Sequence, residues 1–325
     1  MELEAPPPGP PSRLDLVFYN DRGLRSGWRI LIFLAILLAL FTVVSVSAGL
    51  FLSQGRPRVE PSGPPLPLRM GLGEFVLFLL VALASWIMSK IEHRKAADYG
   101  LPLHRPAISR FVIGYLVWGF LPLVLVLLIM RGLGVFYFGT INVRGWEALY
   151  WAAAWGLVFL AVGLFEEYLS RGYLLYTLAD GIGFWPAAVI MAVLFARAHM
   201  GNSGETHIGI IGTFLFAIFT AATLWRTGSL WLAVGAHAGW DWGQSFFFGV
   251  PDSGNQFPGH LFNPRIQGPD WLSGGSVGPE GSIVVLIFWT LLTIAFLTFY
   301  KPRPQVAFTM SSGEPHDNVA GPLTS

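Results

Sequence analysis

The sequence has no cysteine. That excludes disulfides and thiolate metal ligands and leaves the compartment open. Charge is nearly as scarce. Only 12% of the 325 residues are Asp, Glu, Lys or Arg, about half of what a soluble chain carries. The net charge of +1 supplies no basic field, so nucleic acid is not an expected partner. The first 27 residues lack the apolar core and small-residue cleavage site of a signal peptide. The final Pro322-Leu323-Thr324-Ser325 lacks the cysteine of a lipidation motif.

What is abundant is apolar: 54% of the residues, gathered in long blocks, with 15% aromatic and many aromatics near block ends, as at membrane interfaces. A bilayer-crossing helix needs roughly 20 predominantly apolar residues. By that test the blocks predict about eight spans, over Trp28–Leu52, Gly71–Met88, Arg110–Met130, Ala152–Leu178, Phe184–Met200, His207–Trp225, Ser229–Val250 and Ser282–Tyr300. The expected fold is all-α, a polytopic bundle over 28–300 between disordered polar tails at 1–27 and 301–325. The Pro/Gly-rich linker Pro251–Gly281 is long enough to fold over one mouth as a cap. With the N-terminus inside, twelve Lys and Arg fall in cytoplasmic loops and six in the opposite set. The positive-inside rule then puts both termini in the cytoplasm.

Ionisable residues inside apolar spans are costly and mark functional candidates. Three clusters stand out. The first is Glu166-Glu167-Tyr168-Leu169-Ser170-Arg171. Glu167 and Arg171, four apart, share a helix face as a pair. Glu166, about 100° away, has no local countercharge. An unpaired carboxylate in such a place suits water activation. The plainer reading is a structural pair beside a water-filled gap. The second cluster is Phe195-Ala196-Arg197-Ala198-His199, with Phe195 and His199 on one face. The plainer reading is an interfacial histidine. Glu166 lies sixteen residues before Ile182, and His199 seventeen after it. A hairpin turning near Gly181-Ile182-Gly183 would bring both to one depth, where they could meet at a single water.

The third cluster, His237-Ala238-Gly239-Trp240-Asp241, pairs His237 with Asp241 by the same spacing. Gly235, Gly239 and Gly243 form a small-residue stripe, so packing and interhelical glue are the plainer reading. Glu74 and Arg197 are weaker candidates. His93, His104, His207, His260 and His316 fall in expected loops, helix ends or tails.

In this order the clusters resemble the CPBP family, also called the Abi or CaaX-protease family, of intramembrane proteases. Its pattern is Glu-Glu-x-x-x-Arg, Phe-x-x-x-His and His-x-x-x-Asn/Asp on successive helices. The matching region runs over about 150–250. The resemblance implies peptide-bond hydrolysis in or beside a bilayer, on a peptide or membrane-protein substrate. It implies that Glu166 and His199 activate water and that His237 and Asp241 stabilise the oxyanion. Glu167, Arg171 and Phe195 then give structural support. The Asn that many members of the family have there donates a hydrogen bond, which Asp241 can do only when protonated; otherwise Asp241 would orient His237 through its second ring nitrogen. No cofactor is required by this reading. Glu166, His199, His237 and Asp241 are nonetheless a donor set acceptable to zinc, although the soluble zinc-protease pattern His-Glu-x-x-His is absent. The expected location is a bacterial cytoplasmic membrane. A transporter would spread polar groups over several helices in repeated halves, and a scaffold would keep the fold without hydrolysis. Both remain alternatives.

Overall fold

The computed structural model describes residues 17–20, 23–53, 66–103 and 105–301. His104, His316, most of the two expected tails and most of the linker after the first span lie outside them. Within the expected N-terminal tail, Tyr19–Asn20 pairs antiparallel with Gly23–Leu24.

Nine helices of ten residues or more occur among the described residues. They are α1 (Ser26–Ser53), α2 (Leu66–Ile91), α3 (Pro106–Gly132), α4 (Gly145–Arg171), α5 (Tyr173–Ile182), α6 (Phe184–His199), α7 (His207–Thr227), α8 (Trp231–Trp242) and α9 (Ile283–Phe299). Helix α3 is π-helical over Gly114–Phe120, and α8 continues as a π-helix over Gly243–Phe248. The ends carry local signals. The Thr206 hydroxyl accepts Gly209 N–H at the start of α7, and left-handed Gly228 closes it. Ser282 caps α9 through Val284 N–H.

The all-α expectation holds. Helices α1, α2, α3 and α7, and the α4–α5 run, are long and apolar enough to cross a bilayer. The chain is an integral membrane protein. One expected span is corrected: Ala152–Leu178 is two helices, not one. The chain bends at Gly172, where an added Cβ would stand 2.3 Å from the Tyr168 carbonyl oxygen. The turn back into α6 is at Gly183, whose φ of +87° is open to glycine.

Burial separates lipid-facing helices from central ones. Only 6% of the most apolar stretch of α1 is buried, against 56% for α7, so α1 presents its leucines and valines outward. Helix α1 is fastened at one end by charge: Arg29 pairs with Glu92 at 2.6 Å and with Asp180 at 2.8 Å. The other end of the bundle carries the cap. There β1 (Phe136–Ile141) pairs antiparallel with β2 (Phe262–Ile266).

Helix α8 lies at the centre, against α3, α4 and α7. Its contact with α3 is backbone on backbone. A Cβ on Gly235 would sit 2.2 Å from Phe111 O, and one on Gly239 2.2 Å from Tyr115 O. Gly119 of α3 faces Ala236 O in the same way. The stripe therefore packs as expected, with a glycine on the partner helix that the motif reading missed.

Candidate active site

A cavity of about 760 Å³ opens between α1, α2, α4, α6 and α8, roofed by the cap. Its outer part is apolar, lined by residues such as Leu34, Leu37, Met70, Phe165, Leu174 and Leu194. Its inner end holds the four sequence candidates Glu166, His199, His237 and Asp241.

Glu166 Oε2 is the centre of that inner end. It lies 3.8 Å from His199 Nε2 and 3.8 Å from His237 Nε2. It is buried and has no hydrogen-bond partner. Helix α4 presents it one position before Glu167, which points elsewhere, as the 100° step requires.

The two imidazoles are oriented differently. His199 Nδ1 lies 2.8 Å from the Phe195 carbonyl oxygen, which can only accept. Nδ1 therefore carries a proton, and in the neutral ring Nε2 is an acceptor facing Glu166. His237 Nδ1 lies 2.9 Å from Glu167 Oε1. This corrects one expectation. The second ring nitrogen of His237 belongs to Glu167, and Asp241 Oδ2 instead stands 3.4 Å from Nε2.

Glu167 thus joins Arg171 to His237. Fully buried, it pairs with Arg171 Nη1 at 3.0 Å while holding His237. Arg171 also donates to Ser170 Oγ at 2.7 Å and lies over the Phe195 ring at 4.6 Å. Phe195 in turn stacks obliquely on His199. Glu167, Arg171 and Phe195 form one chain of contacts linking the motif helices.

These geometries lie within a recognised sequence segment: residues 147–243 match the family model described as type II CAAX prenyl endopeptidase Rce1-like. This segment matches the CPBP, or CaaX-protease, family. The match covers under a third of the chain and includes all three motifs. No curated protein and no solved structure matches the chain.

A second group of acids lies beside the CPBP motifs. Asp252 and Glu280, from the cap, bring carboxylate oxygens within 4.8 Å of Asp241 and of each other. Burial first, then Asp241 and Glu280, pushes the Asp252 carboxyl well above its ordinary range, against the hydrogen bond from Ser245. Sequence reasoning missed both acids. They stand at opposite ends of the linker, beside helix ends, and nothing in their spacing pairs them. Glu74 lines the cavity on α2, whereas Arg197 reaches Met200 Sδ on an exposed face.

Glu166, His199, His237 and Asp241 carry nitrogen and oxygen donors of the kind zinc accepts. A tetrahedral zinc with bonds of about 2.0–2.2 Å has ligand atoms roughly 3.3–3.6 Å apart. The 3.8 Å spacings around Glu166 are wider, and the four atoms do not form a mutually close set among the described residues. The gap leaves room for a hydrogen-bonded water.

Proposed function

We propose that this protein is an intramembrane endopeptidase of the glutamate-and-histidine type, working without a catalytic metal. The observation that carries the reading is the unpartnered Glu166 Oε2 between two imidazole nitrogens, at the inner end of an apolar cavity. A water in that gap donates one proton towards Glu166 and the other towards His199 Nε2. Its lone pair is then free for a peptide carbonyl carbon. Glu166 takes the proton as the water oxygen attacks, and returns it to the leaving amine as the tetrahedral intermediate collapses.

The oxyanion lies towards α8. With its Nδ1 proton committed to Glu167, His237 donates from Nε2 only as an imidazolium, whose countercharge comes from Glu166, Glu167 and Asp241. Asp241 joins as a donor only when protonated. Neither role needs a repeated ion path, so the transporter reading has no feature that favours it here.

The apolar outer cavity suits a hydrophobic peptide segment or an alkyl-modified side chain. The family description names prenylated CaaX substrates, so a farnesylated CaaX peptide belongs in the assay beside unmodified membrane peptides. In the proposed setting, a bacterial cytoplasmic membrane with both termini inside, the cap lies on the outer face.

The test uses purified protein and a peptide library read by mass spectrometry. Wild type cleaves at least one substrate; Glu166→Gln and His199→Ala do not, while both elute and melt as folded protein. Unchanged turnover in either variant would remove the mechanism.

A further inference from the structure

The cap acids raise a separate question, which does not depend on the proteolytic reading. Asp241 comes from α8, Asp252 from the start of the cap and Glu280 from the approach to α9. One oxygen from each lies within 4.8 Å of the others. Asp241 and Asp252 are each 6% exposed. Among the described residues, no Lys or Arg pairs with any of the three within 4.0 Å. His237, which carries positive charge only when protonated, lies 3.4 Å from Asp241 and is already shared with Glu166 and Glu167.

The surroundings fix these carboxylates without neutralising them. Glu280 Oε1 accepts from Trp240 Nε1 and Gln244 Nε2, each at 3.0 Å. Glu280 Oε2 accepts from the backbone N–H and the hydroxyl of Ser253, each at 3.0 Å. Ser245 donates to Asp252 at 2.8 Å. All of these donors are neutral.

A second observation points to a ligand. Gln244 is fully buried, and its amide reaches into the cluster through the bond to Glu280. Its carbonyl oxygen, Oε1, has no partner. An orphaned buried amide oxygen is uncommon and is itself a ligand for hard cations. The donor set is wholly oxygen: three carboxylates and an amide carbonyl. Such a set suits calcium, magnesium or manganese rather than zinc. Oxygens up to 4.8 Å apart span a coordination sphere with bonds of about 2.3–2.6 Å, the calcium range.

We propose that Asp241, Asp252 and Glu280, with the Gln244 side-chain carbonyl, bind one hard divalent cation of the calcium class. The ion fastens the two ends of the cap to α8, beside the water-activating residues and separate from them.

The experiment is calorimetric titration of purified, chelator-washed protein with calcium chloride, run in parallel with zinc chloride. One calcium binds to wild type and to Glu166→Gln alike. Affinity falls by at least about tenfold in Asp252→Asn and in Glu280→Gln. Terbium supplies a check that needs no variant. Bound beside the Trp240 indole, it emits when tryptophan is excited, and calcium quenches that emission by displacement. Absence of calcium binding at millimolar concentration would show that protons neutralise these acids, and the proposal would fall. It would equally fall if calcium affinity were lost in Glu166→Gln but kept in both cap variants, since the ion would then belong to Glu166 and the imidazoles.

Discussion

Behind one wall of the cavity Glu167 lies between Arg171 and His237, each within 3.0 Å. On the other, Asp252 lies beside Asp241 and Glu280, and no arginine or lysine reaches any of them among the described residues. The first wall is built from helices α4, α6 and α8 and carries its own countercharge. The second is built from α8 and the cap, and lacks one. A membrane helix that buries an acid within a single apolar segment must bring its partner nearby, as the i,i+4 pair does. A cap at the bundle mouth is free of that constraint, because solvent can deliver an ion or a proton. Helix α8 belongs to both walls, with His237 facing one and Asp241 joining them.

The largest effect that separates the walls is on turnover. Glu166→Gln keeps the shape of the motif wall and removes its base, so kcat falls by at least about 10³, towards the upper end of general-base contributions. Asp252→Asn on the cap wall leaves that base in place and lowers kcat by no more than about tenfold. Single-turnover cleavage of one identified peptide measures both. Equal losses would mean that the walls are one catalytic unit.

Stability separates them next. Glu167→Ala leaves Arg171 buried without a carboxylate and frees His237 Nδ1, a loss of about 3–5 kcal/mol for a broken buried pair. Thermal unfolding in detergent reads this as a large drop in melting temperature. Glu280→Ala frees the Trp240, Gln244 and Ser253 donors of a half-buried acid but strands no opposite charge, so its destabilisation should be the smaller of the two. A Glu167→Ala protein that melts like wild type would show that Arg171 finds another partner.

A third comparison concerns the helix the walls share. Gly239→Ala would set a Cβ 2.2 Å from the Tyr115 carbonyl oxygen. Helix α8 must then back away from α3, at about 1–3 kcal/mol for overpacking, moving His237 and Asp241 together. Gly156→Ala is the control: its nearest atoms outside the helix, on Trp242, are 3.8 Å away. It should be neutral or stabilising by up to about 1 kcal/mol. Melting temperatures of the two variants decide whether the α3–α8 contact is as tight as its backbone spacing indicates.

The motif wall was legible in the sequence because its information is local. Charged residues interrupt apolar runs, and four-residue spacings put Glu167 with Arg171 and Phe195 with His199 on common faces. Equal offsets from the glycine turn brought Glu166 and His199 to one depth, although the segment between them bends at Gly172. The cap wall was not legible. Asp252 and Glu280 are separated by a linker whose composition says only that it is loop. Their meeting depends on how that loop returns over α8 and on the pairing of β1 with β2, both of them long-range. The tie from Glu167 to His237 was hidden for the same reason. It crosses between helices seventy positions apart, and the i,i+4 rule offered Asp241 as the nearer partner.

Asp241 gives the smallest expected effect and the sharpest distinction. The motif pattern at this position admits Asn, whose amide donates a hydrogen bond, whereas an ionised Asp can only accept. If the position serves the oxyanion, Asp241→Asn should raise kcat by a few-fold, because a neutral donor replaces a charge that repels the developing oxyanion. The same substitution removes one carboxylate from the proposed ion site and should weaken calcium binding. Measuring kcat and calcium affinity on one preparation therefore reads both walls at once. Higher turnover with weaker binding fits an aspartate retained for the ion rather than for hydrolysis. A fall in kcat of more than about tenfold would mean that the negative charge of Asp241 is needed in the reaction, to sustain the His237 imidazolium against which the oxyanion forms.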